Sequence, residues 1–501
     1  MKTGFNSTGG QESLPAHPKR VINWVRMLAR GTRFTSCICI SVLLTIYHVC
    51  PAPAQTPIDI NRKFTPQQLI EDIDFYVRTM EETHINPFAH ISQREWRARA
   101  DDIKSRIAKQ GAMTQQEFWL LFAPLVSSIQ DRHTLVMEPR FFISNNPTKY
   151  LPVRAVYVDG KVAVTSSVAD ARIAKGAVVT SINGIKSEEV IRQLSRYGWG
   201  VEKERMRGAG GWLWVGVAEV FGRPESFLLT FSDGTKAEVK GLTVSEIMKR
   251  EKAANVSPAK ANGSPLELKF LAGNVAYLNA STFEYDLEKY KDLLKEVFTR
   301  IEASGARKLI VDLRNNTGGH SALAHALIDM FNARPYKNYS SSWKRSHQYV
   351  EKLRDDGAEI PDHYLALNPG EVFTSTPAII TPTANPLRFD GQVYVLSGEE
   401  TFSSGQMFLG LVKDNHLAQI IGEETSTPAC PPGELYMFNL PNSRLRVSSS
   451  VKYWVAPGGC KGARGIMPDV TVTRRLDHYL TGRDRVLERA LSLFRRKRAL
   501  R

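Results

Sequence analysis

The sequence predicts an α+β protein built from several domains, because three stretches of the chain follow three different patterns. The first is helical, the second is a series of short strands separated by turns, and the third alternates strands with helices. A chain of 501 residues is also too long for one ordinary core. Apolar residues make up 42% and charged residues 23%, which is typical of a soluble globular protein and excludes disorder or many membrane spans.

Residues 1–54 are predicted to be a secretory signal peptide. A basic stretch precedes an apolar run at 34–50, and Ala52 and Ala54 then supply the small residues of an A-x-A cleavage site. The run is short for a membrane span, although a membrane anchor is the alternative. The sequence therefore predicts an exported protein, periplasmic or secreted, with no stable membrane span after cleavage.

The net charge of +15 does not by itself indicate a partner. Basic residues are dense at the C-terminus, where Arg495–Arg498 form a run. Such a run can contact nucleic acid or membranes, but no nucleic-acid motif accompanies it. We interpret it as a solvated helix end whose cations suit the helix dipole, and we expect no nucleic-acid partner.

Residues 60–148 are predicted to form a helical N-terminal domain. Thr65 is a candidate N-cap with Gln68 three residues later, and Thr114 and Glu117 repeat this capping-box pattern. Apolar residues follow each box at helical spacing. Two helices are therefore expected to begin at these boxes.

The middle of the chain, residues 150–243, is predicted to be a β domain. Turn signals separate four short apolar runs, at 153–158, 162–165, 178–182 and 227–231. The segment Gly176–Gly184 and the helical pattern after it resemble the second half of a PDZ domain, so this region is interpreted as PDZ-like. The polar stretch 244–266 is predicted to be a linker.

Residues 267–495 are predicted to form an α/β core, and one of its junctions carries the strongest indication of chemistry. An apolar strand at 392–396 is followed by Ser403 and by a helix that starts at Ser404. The start of such a helix offers free backbone N–H groups that can stabilise an oxyanion. Taken alone, however, a serine here is more often a helix N-cap than a nucleophile.

A second element, the segment Asp312–Gly319, is again a strand that ends in a polar turn. Its two glycines lack a Cβ, so their backbone can approach a ligand closely. Together, the two elements resemble the tail-specific, C-terminal processing serine peptidase family. The resemblance implies a core like those of ClpP and crotonase, Ser403 as nucleophile, and the N–H groups of Gly318 and Ser404 as an oxyanion hole. Ser404 is the alternative nucleophile.

The general base indicates one branch of this family. The best known branch uses a lysine after the active-site helix, but Pro428 stands at that position, and Gln406 replaces a glutamate of the nucleophile motif. The segment Asp131–Thr134 instead resembles the Asp-Gly-His-Thr motif of the branch with the tricorn core protease and interphotoreceptor retinoid-binding protein. In tricorn-like members that histidine is the base, so the resemblance implies His133 as the base for Ser403.

The acid that would orient His133 is less clear from the sequence. Tricorn-like members have a glutamate shortly before a Gly-x-x-Pro-Asp element, and here Gly462 lies near the glutamate position while the element ends at Asp469. We favour Asp469 slightly. The other candidates are Asp131, Glu423 and Glu424, and a Ser-His dyad without an acid is a further alternative.

Two cysteines, Cys430 and Cys460, remain once the predicted signal peptide is removed. In an oxidising compartment they can form one disulfide, which we predict, and two separate buried thiols are the alternative.

The sequence therefore predicts a serine endopeptidase that hydrolyses polypeptides through an acyl-enzyme, with unstructured C-terminal tails as one class of substrate. No metal or organic cofactor is expected, because the chain has no His-Glu-x-x-His, phosphate-binding loop or paired Cys-x-x-Cys. His320 and His325 are interpreted as structural or substrate-lining. Two alternatives stay open: a non-catalytic module of the same fold that binds apolar ligands or proteins, and a hydrolase of small esters.

Overall fold

The chain is a mixed α/β protein in the computed structural model, which describes residues 59–139, 146–170, 172–254, 256, 263–460 and 462–499. The predicted signal peptide, residues 1–54, lies outside the described residues. Within the described ranges, no helix is long and apolar enough to cross a membrane.

The N-terminal region is helical, as its capping patterns predict. Its elements are β1 (Lys63–Phe64), α1 (Pro66–Thr83), α2 (Gln93–Gln110), β2 (Met113–Thr114) and α3 (Gln115–Ser127). Both predicted capping boxes are confirmed, with Thr65 and Gln68 at α1 and Thr114 and Glu117 at α3. The apolar faces of these helices pack on one another and on Val447, so the region shares its core with a later hairpin.

The middle region is an antiparallel sheet with three helices. Its elements are β3 (Val153–Val158), β4 (Lys161–Ser167), β5 (Val178–Ile182), β6 (Ile185–Lys186), α4 (Ser187–Ser195), α5 (Glu202–Val220), β7 (Ser226–Phe231), β8 (Lys236–Lys240) and α6 (Val244–Ala253). The main path of the sheet is β3-β4-β5-β7-β8, and all four predicted strands are present.

Two features of the middle region differ from the prediction. Residues 244–253 of the predicted linker are the helix α6, because Thr243 and Glu246 form a capping box and Ile247 is buried in the core of this region. The helix α5 was not predicted, since several glycines interrupt its pattern. One of them, Gly210, lets the helix approach β3, where a Cβ would lie 2.3 Å from the Tyr157 nitrogen.

The remaining elements form the core and a second sheet. They are β9 (Leu266–Leu271), β10 (Val275–Ala280), α7 (Leu287–Ala303), β11 (Lys308–Asp312), α8 (Ser321–Asp329), β12 (Tyr336–Lys337), β13 (Ser340–Lys344), α9 (His347–Asp355), α10 (Asp362–Leu365), β14 (Val372–Thr374), β15 (Ile379–Ile380), β16 (Gln392–Ser397), α11 (Ser404–Asp414), β17 (Gln419–Gly422), β18 (Pro432–Asn439), β19 (Arg446–Val455), β20 (Val470–Thr471), α12 (Leu476–Thr481) and α13 (Arg485–Ala499).

The central sheet has the order β20-β17-β16-β11-β10-β9, and all its pairs are parallel except β9 with β10. Asp312 at the end of β11 is in register with Leu396 near the end of β16. Because neighbouring parallel strands end at the same edge of a sheet, the loops after β11 and β16 meet there.

The hairpin β18–β19 brings the N-terminal region to this edge. The N–H of Met137 donates to the carbonyl of Arg446 at 3.0 Å, and the N–H of Ser448 donates to the carbonyl of Leu135 at 2.9 Å. Residues 131–134 therefore lie beside the core although they are distant in sequence. The predicted disulfide between Cys430 and Cys460 is present and links the two ends of this hairpin.

Candidate active site

Ser403 has an unusual backbone at the junction of β16 and α11. Its φ is +52° and its ψ is −127°, which a residue with a Cβ adopts only when its surroundings impose the strain. Its side chain makes no capping hydrogen bond with α11. The strain and the uncapped helix therefore argue against a simple N-cap role for Ser403.

The loop after β11 packs directly against Ser403. A Cβ on Gly318, whose φ is +101°, would lie 2.6 Å from the Cβ of Ser403 and 2.9 Å from the nitrogen of Ser404. Only glycine fits this position without moving the serine.

The oxyanion donors that the resemblance implies differ in availability. The N–H of Gly318 already donates to the side-chain oxygen of Asn316 at 2.9 Å, so the structure does not support it as a free donor. The N–H of Ser404, at the first turn of α11, makes no hydrogen bond within the described part of the chain. Ser404 also donates its hydroxyl proton to the carbonyl of Gly319 at 2.6 Å, which directs its side chain away from a nucleophilic role.

Asn316 joins the two loops of the core. It is fully buried, and its amide donates to the carbonyl of Ala280 at 2.9 Å. Its backbone carbonyl accepts the N–H of Phe402 at 2.9 Å. The residue just before Ser403 is thus anchored to the loop that carries Gly318.

His133 lies within hydrogen-bond distance of Ser403. The two atoms, His133 Nε2 and Ser403 Oγ, are 3.2 Å apart. The backbone of His133 is held on both sides, since its N–H donates to Asp131 Oδ1 at 3.0 Å and its carbonyl accepts the hydroxyl of Ser448 at 2.6 Å. The two predicted residues are brought together from segments 270 positions apart.

The Nδ1 side of the His133 ring makes weaker polar contacts than the Nε2 side, which faces Ser403. The carbonyl of Pro432 faces the ring, but no group in the described ranges meets hydrogen-bond geometry with Nδ1. Asp131 Oδ1 lies 4.0 Å from Nδ1. Burial lowers the pKa of His133 below its ordinary value of 6.5, while Asp131 opposes this shift. The ring is therefore neutral near pH 7, as a general base must be.

Asp131 is an ionised carboxylate in a buried site. Its Oδ2 accepts the hydroxyls of Thr134, at 2.7 Å, and Ser450, and it lies 3.3 Å from His84 Nε2. Burial alone would raise the pKa of Asp131, but the hydrogen bonds from His84 and Ser450 hold it well below the ordinary value of 3.8.

The other acids considered from the sequence do not contact His133. The carboxylate of Asp469 accepts the N–H of Ile420 at 2.7 Å and pairs with Lys413, so the preference for Asp469 was wrong. Glu423 accepts the N–H of Arg474 at 2.6 Å, and Glu424 accepts the N–H of Gly465 at 2.9 Å. Among the described carboxylates, Asp131 alone lies within 4.0 Å of the His133 ring.

A charged and aromatic cluster surrounds the dyad. The ring of Phe402 lies 4.4 Å from the ring of His133 and 4.1 Å from the guanidinium carbon of Arg132. Arg132 is paired at 3.2 Å with Glu204, a buried carboxylate at the start of α5 that also accepts the hydroxyl of Thr427 at 2.9 Å. The middle region therefore contributes a residue to the surroundings of the site.

Three features of this site were not assigned from the sequence. The role of Glu204 has no local signal, because α5 itself was missed. The role of His84 has no local signal either, because its partner Asp131 is 47 positions away. Gln406, which replaces a glutamate of the nucleophile motif, contacts Pro428, which stands at the position of a lysine base: the Gln406 amide donates to the Pro428 carbonyl at 2.6 Å.

No cluster of potential metal ligands occurs among the residues that the structure describes. His325 lies in α8, where its Nδ1 is 2.8 Å from the hydroxyl of Tyr336, and His320 is the N-cap of the same helix. These contacts are consistent with the structural interpretation of both histidines.

The class of protein follows from the α/β core. Residues 274–472 match the model of Peptidase family S41. The protein is a serine peptidase. The matched residues include Ser403 and the Gly318 loop, whereas His133 lies outside the match.

Solved structures share this fold. Mature CPAF in complex with lactacystin is 15% identical, with a TM-score of 0.60 and coverage of 85% of this chain and 97% of that chain. Mature CPAF alone is 14% identical, with a TM-score of 0.56 and coverage of 83% and 94%. No curated protein matches the sequence. At these identities the likeness concerns the fold alone.

Proposed function

We propose that this serine peptidase hydrolyses polypeptides through an acyl-enzyme, with Ser403 as nucleophile and His133 as general base. The observation that carries the proposal is the 3.2 Å separation of His133 Nε2 and Ser403 Oγ. Such a distance allows direct proton transfer, and Ser403 is only partly buried at the junction of β16 and α11. The proposal corresponds to the Ser-His branch of the family, since Pro428 stands where a lysine base would be.

The proposed reaction has two halves. His133 Nε2 takes the proton of Ser403 as Oγ bonds to the peptide carbonyl carbon, and the N–H of Ser404 stabilises the oxyanion. His133 then gives the proton to the leaving amine as the C–N bond breaks. Water, deprotonated by the same ring, releases the acyl group and restores Ser403.

A fluorophosphonate probe tests the nucleophile. Ser403→Ala is expected to abolish covalent labelling, whereas Ser404→Ala is expected to keep it, because the Ser404 hydroxyl is bound to the Gly319 carbonyl. Wild-type protein that neither labels nor cleaves an unstructured polypeptide such as casein would instead support the non-catalytic carrier. Labelling with cleavage of small esters but not of casein would support the esterase.

We further propose that the middle sheet is PDZ-like and that unstructured C-terminal tails are one class of substrate. Matched peptides with a free or an amidated C-terminus test this preference. Faster cleavage of the free acid is expected, and equal rates would contradict a tail-specific enzyme.

We propose that the protein is exported after cleavage between Ala54 and Gln55, on the sequence pattern described above. Mass spectrometry of the protein recovered from the periplasm or medium should show an N-terminus at Gln55. Protein retained in the cell with residues 1–54 intact would contradict export.

A further inference from the structure

His84 is a buried histidine that the proposed reaction does not use directly. It follows the last turn of α1 and has no solvent exposure. Its Nδ1 accepts the N–H of Asn86 at 3.0 Å, so that nitrogen carries no proton. The ring proton therefore lies on Nε2, which is directed at Asp131 Oδ2 at 3.3 Å. His84 is thus fixed as a neutral donor to Asp131.

Asp131 is held by uncharged donors. The hydroxyls of Thr134 and Ser450 share Oδ2 with His84, and the N–H of His133 occupies Oδ1. None of these groups neutralises the carboxylate, as an arginine would. The negative charge therefore stays available to the His133 ring, whose Nδ1 is 4.0 Å away.

We propose that His84 is a positioning residue for catalysis, acting through Asp131. It keeps the carboxylate ionised and aimed, so that the Asp131 charge stabilises the imidazolium that forms on His133 when Ser403 loses its proton. This inference rests on the proposed roles of Ser403 and His133. It adds a residue of the helical N-terminal region, outside the residues that match the S41 model, to the catalytic apparatus.

The charges around His133 predict how its pKa responds when Asp131 is displaced. Asp131 and Glu204 favour the protonated ring and Arg132 disfavours it, in addition to burial. Ser403 and Phe402, which the ring also contacts, carry no charge of their own, and the Arg132 guanidinium lies over the Phe402 ring. Loosening Asp131 should therefore lower the pKa of His133, and the acid limb of a pH profile should move to lower pH.

The test compares side chains that differ in reach. In His84→Gln, the amide can reach the Nε2 position and donate to Asp131, whereas the shorter amide of His84→Asn cannot. With a fluorophosphonate probe, His84→Asn is expected to label about tenfold more slowly than wild type, as expected for one lost hydrogen bond to a charged group. His84→Gln is expected to stay within about threefold, since the bond is retained. His90→Ala is a control, because His90 is exposed and, like His84, lines a small cavity of about 40 Å³.

A double-mutant cycle with Asp131→Asn separates positioning from general stability. If His84 acts through Asp131, His84→Asn costs nothing further in the Asp131→Asn background, and each single variant shifts the acid limb to lower pH. Additive losses, or slower labelling with an unmoved acid limb, would overturn the inference and leave His84 as a structural residue. Thermal midpoints show that each variant is folded. If Ser403→Ala still labels, the proposed function fails instead, whatever His84 does.

Discussion

Ser403 and His133 come from segments that are held in different ways. The Ser403 loop is fixed by backbone contacts, with a strained φ of +52° and a glycine so close that a Cβ on Gly318 would lie 2.6 Å from the serine Cβ. The His133 segment is fixed by side chains, since Asp131 and Ser448 hold its backbone from both directions. The position of Ser403 thus depends on close backbone packing, and the position of His133 depends on buried polar groups.

The difference indicates which changes each half can tolerate. Close backbone packing is sensitive to added volume, whereas a buried polar network is sensitive to the loss of one partner. Substitutions that add a methyl group and substitutions that remove a charge should therefore have their largest effects in different segments. Four predictions, ordered by expected effect, test this contrast.

The largest effect is expected from Glu204→Gln, which removes the charge that pairs with Arg132 in a buried site. Breaking such a pair typically costs about 3 kcal/mol of folding free energy. Urea denaturation measures this cost. Glu288→Gln is the matched control, because Glu288 pairs with Lys291 on the exposed surface and should lose less than about 1 kcal/mol. Equal losses in both variants would show that the His133 segment does not depend on its buried partners.

Gly318→Ala should affect the Ser403 loop through volume. The new Cβ must displace Ser403 or Ser404, and a misplacement of about 1 Å lowers activity by about 100-fold. Gly273→Ala is the control, because Gly273 also has a positive φ, +82°, but a Cβ added there would have no neighbour within 4 Å. Both variants carry backbone strain, so a difference in peptide hydrolysis isolates the contact with Ser403. Similar activities would argue against close backbone packing as the constraint.

The Ser403 loop and the elements around it could largely be predicted from the sequence. The strand β16 was predicted to within one residue and the start of α11 was predicted at Ser404, because buried parallel strands are short apolar runs bounded by polar turns. Ser403 and His133 were found through local motifs. Motifs of this kind consist of residues that are neighbours in sequence. They can therefore identify the Ser403 loop, whose geometry is set by its local backbone.

The side-chain partners were harder to predict. Asp469 was preferred as the acid on its position in a motif, but it pairs with Lys413 instead. Glu204 was missed because it comes from a helix with several glycines, and its partner Arg132 is 72 residues away. The occupied N–H of Gly318 depends on the rotamer of Asn316. Such contacts follow from how three regions pack, which no local pattern records.

Asp131→Asn tests the charge next to His133. The neutral side chain no longer stabilises the imidazolium, and we expect about 30-fold slower hydrolysis, a loss comparable to removing a hydrogen bond to a charged group. Since neutral His133 is the active base and Asp131 raises its pKa, the acid limb of kcat/KM should lie below pH 6.5 in wild type and lower still in the variant.

The matched control for this charge is Asp469→Asn. It removes the acid that the sequence favoured, and its contacts with Lys413 and Ile420 predict no shift of the acid limb. A shift in Asp469→Asn, or none in Asp131→Asn, would reverse the assignment made from the structure.

The smallest effect is expected from Phe402→Leu, at the contact between the two segments. The ring of Phe402 belongs to the Ser403 loop and lies against both His133 and Arg132. Losing an aromatic contact and a cation–π contact should cost about 1 kcal/mol, or about fivefold in kcat/KM.

Phe494→Leu is the control, because Phe494 stacks at 4.3 Å on Tyr394 and lies 5.7 Å from Lys308. It should lower the thermal midpoint similarly but leave kcat/KM unchanged, since Phe494 lies on α13 and contacts the first half of β16 and the start of β11, whereas Ser403 follows the end of β16. Equal activity losses would mean that Phe402 stabilises the fold without coupling the two halves of the dyad.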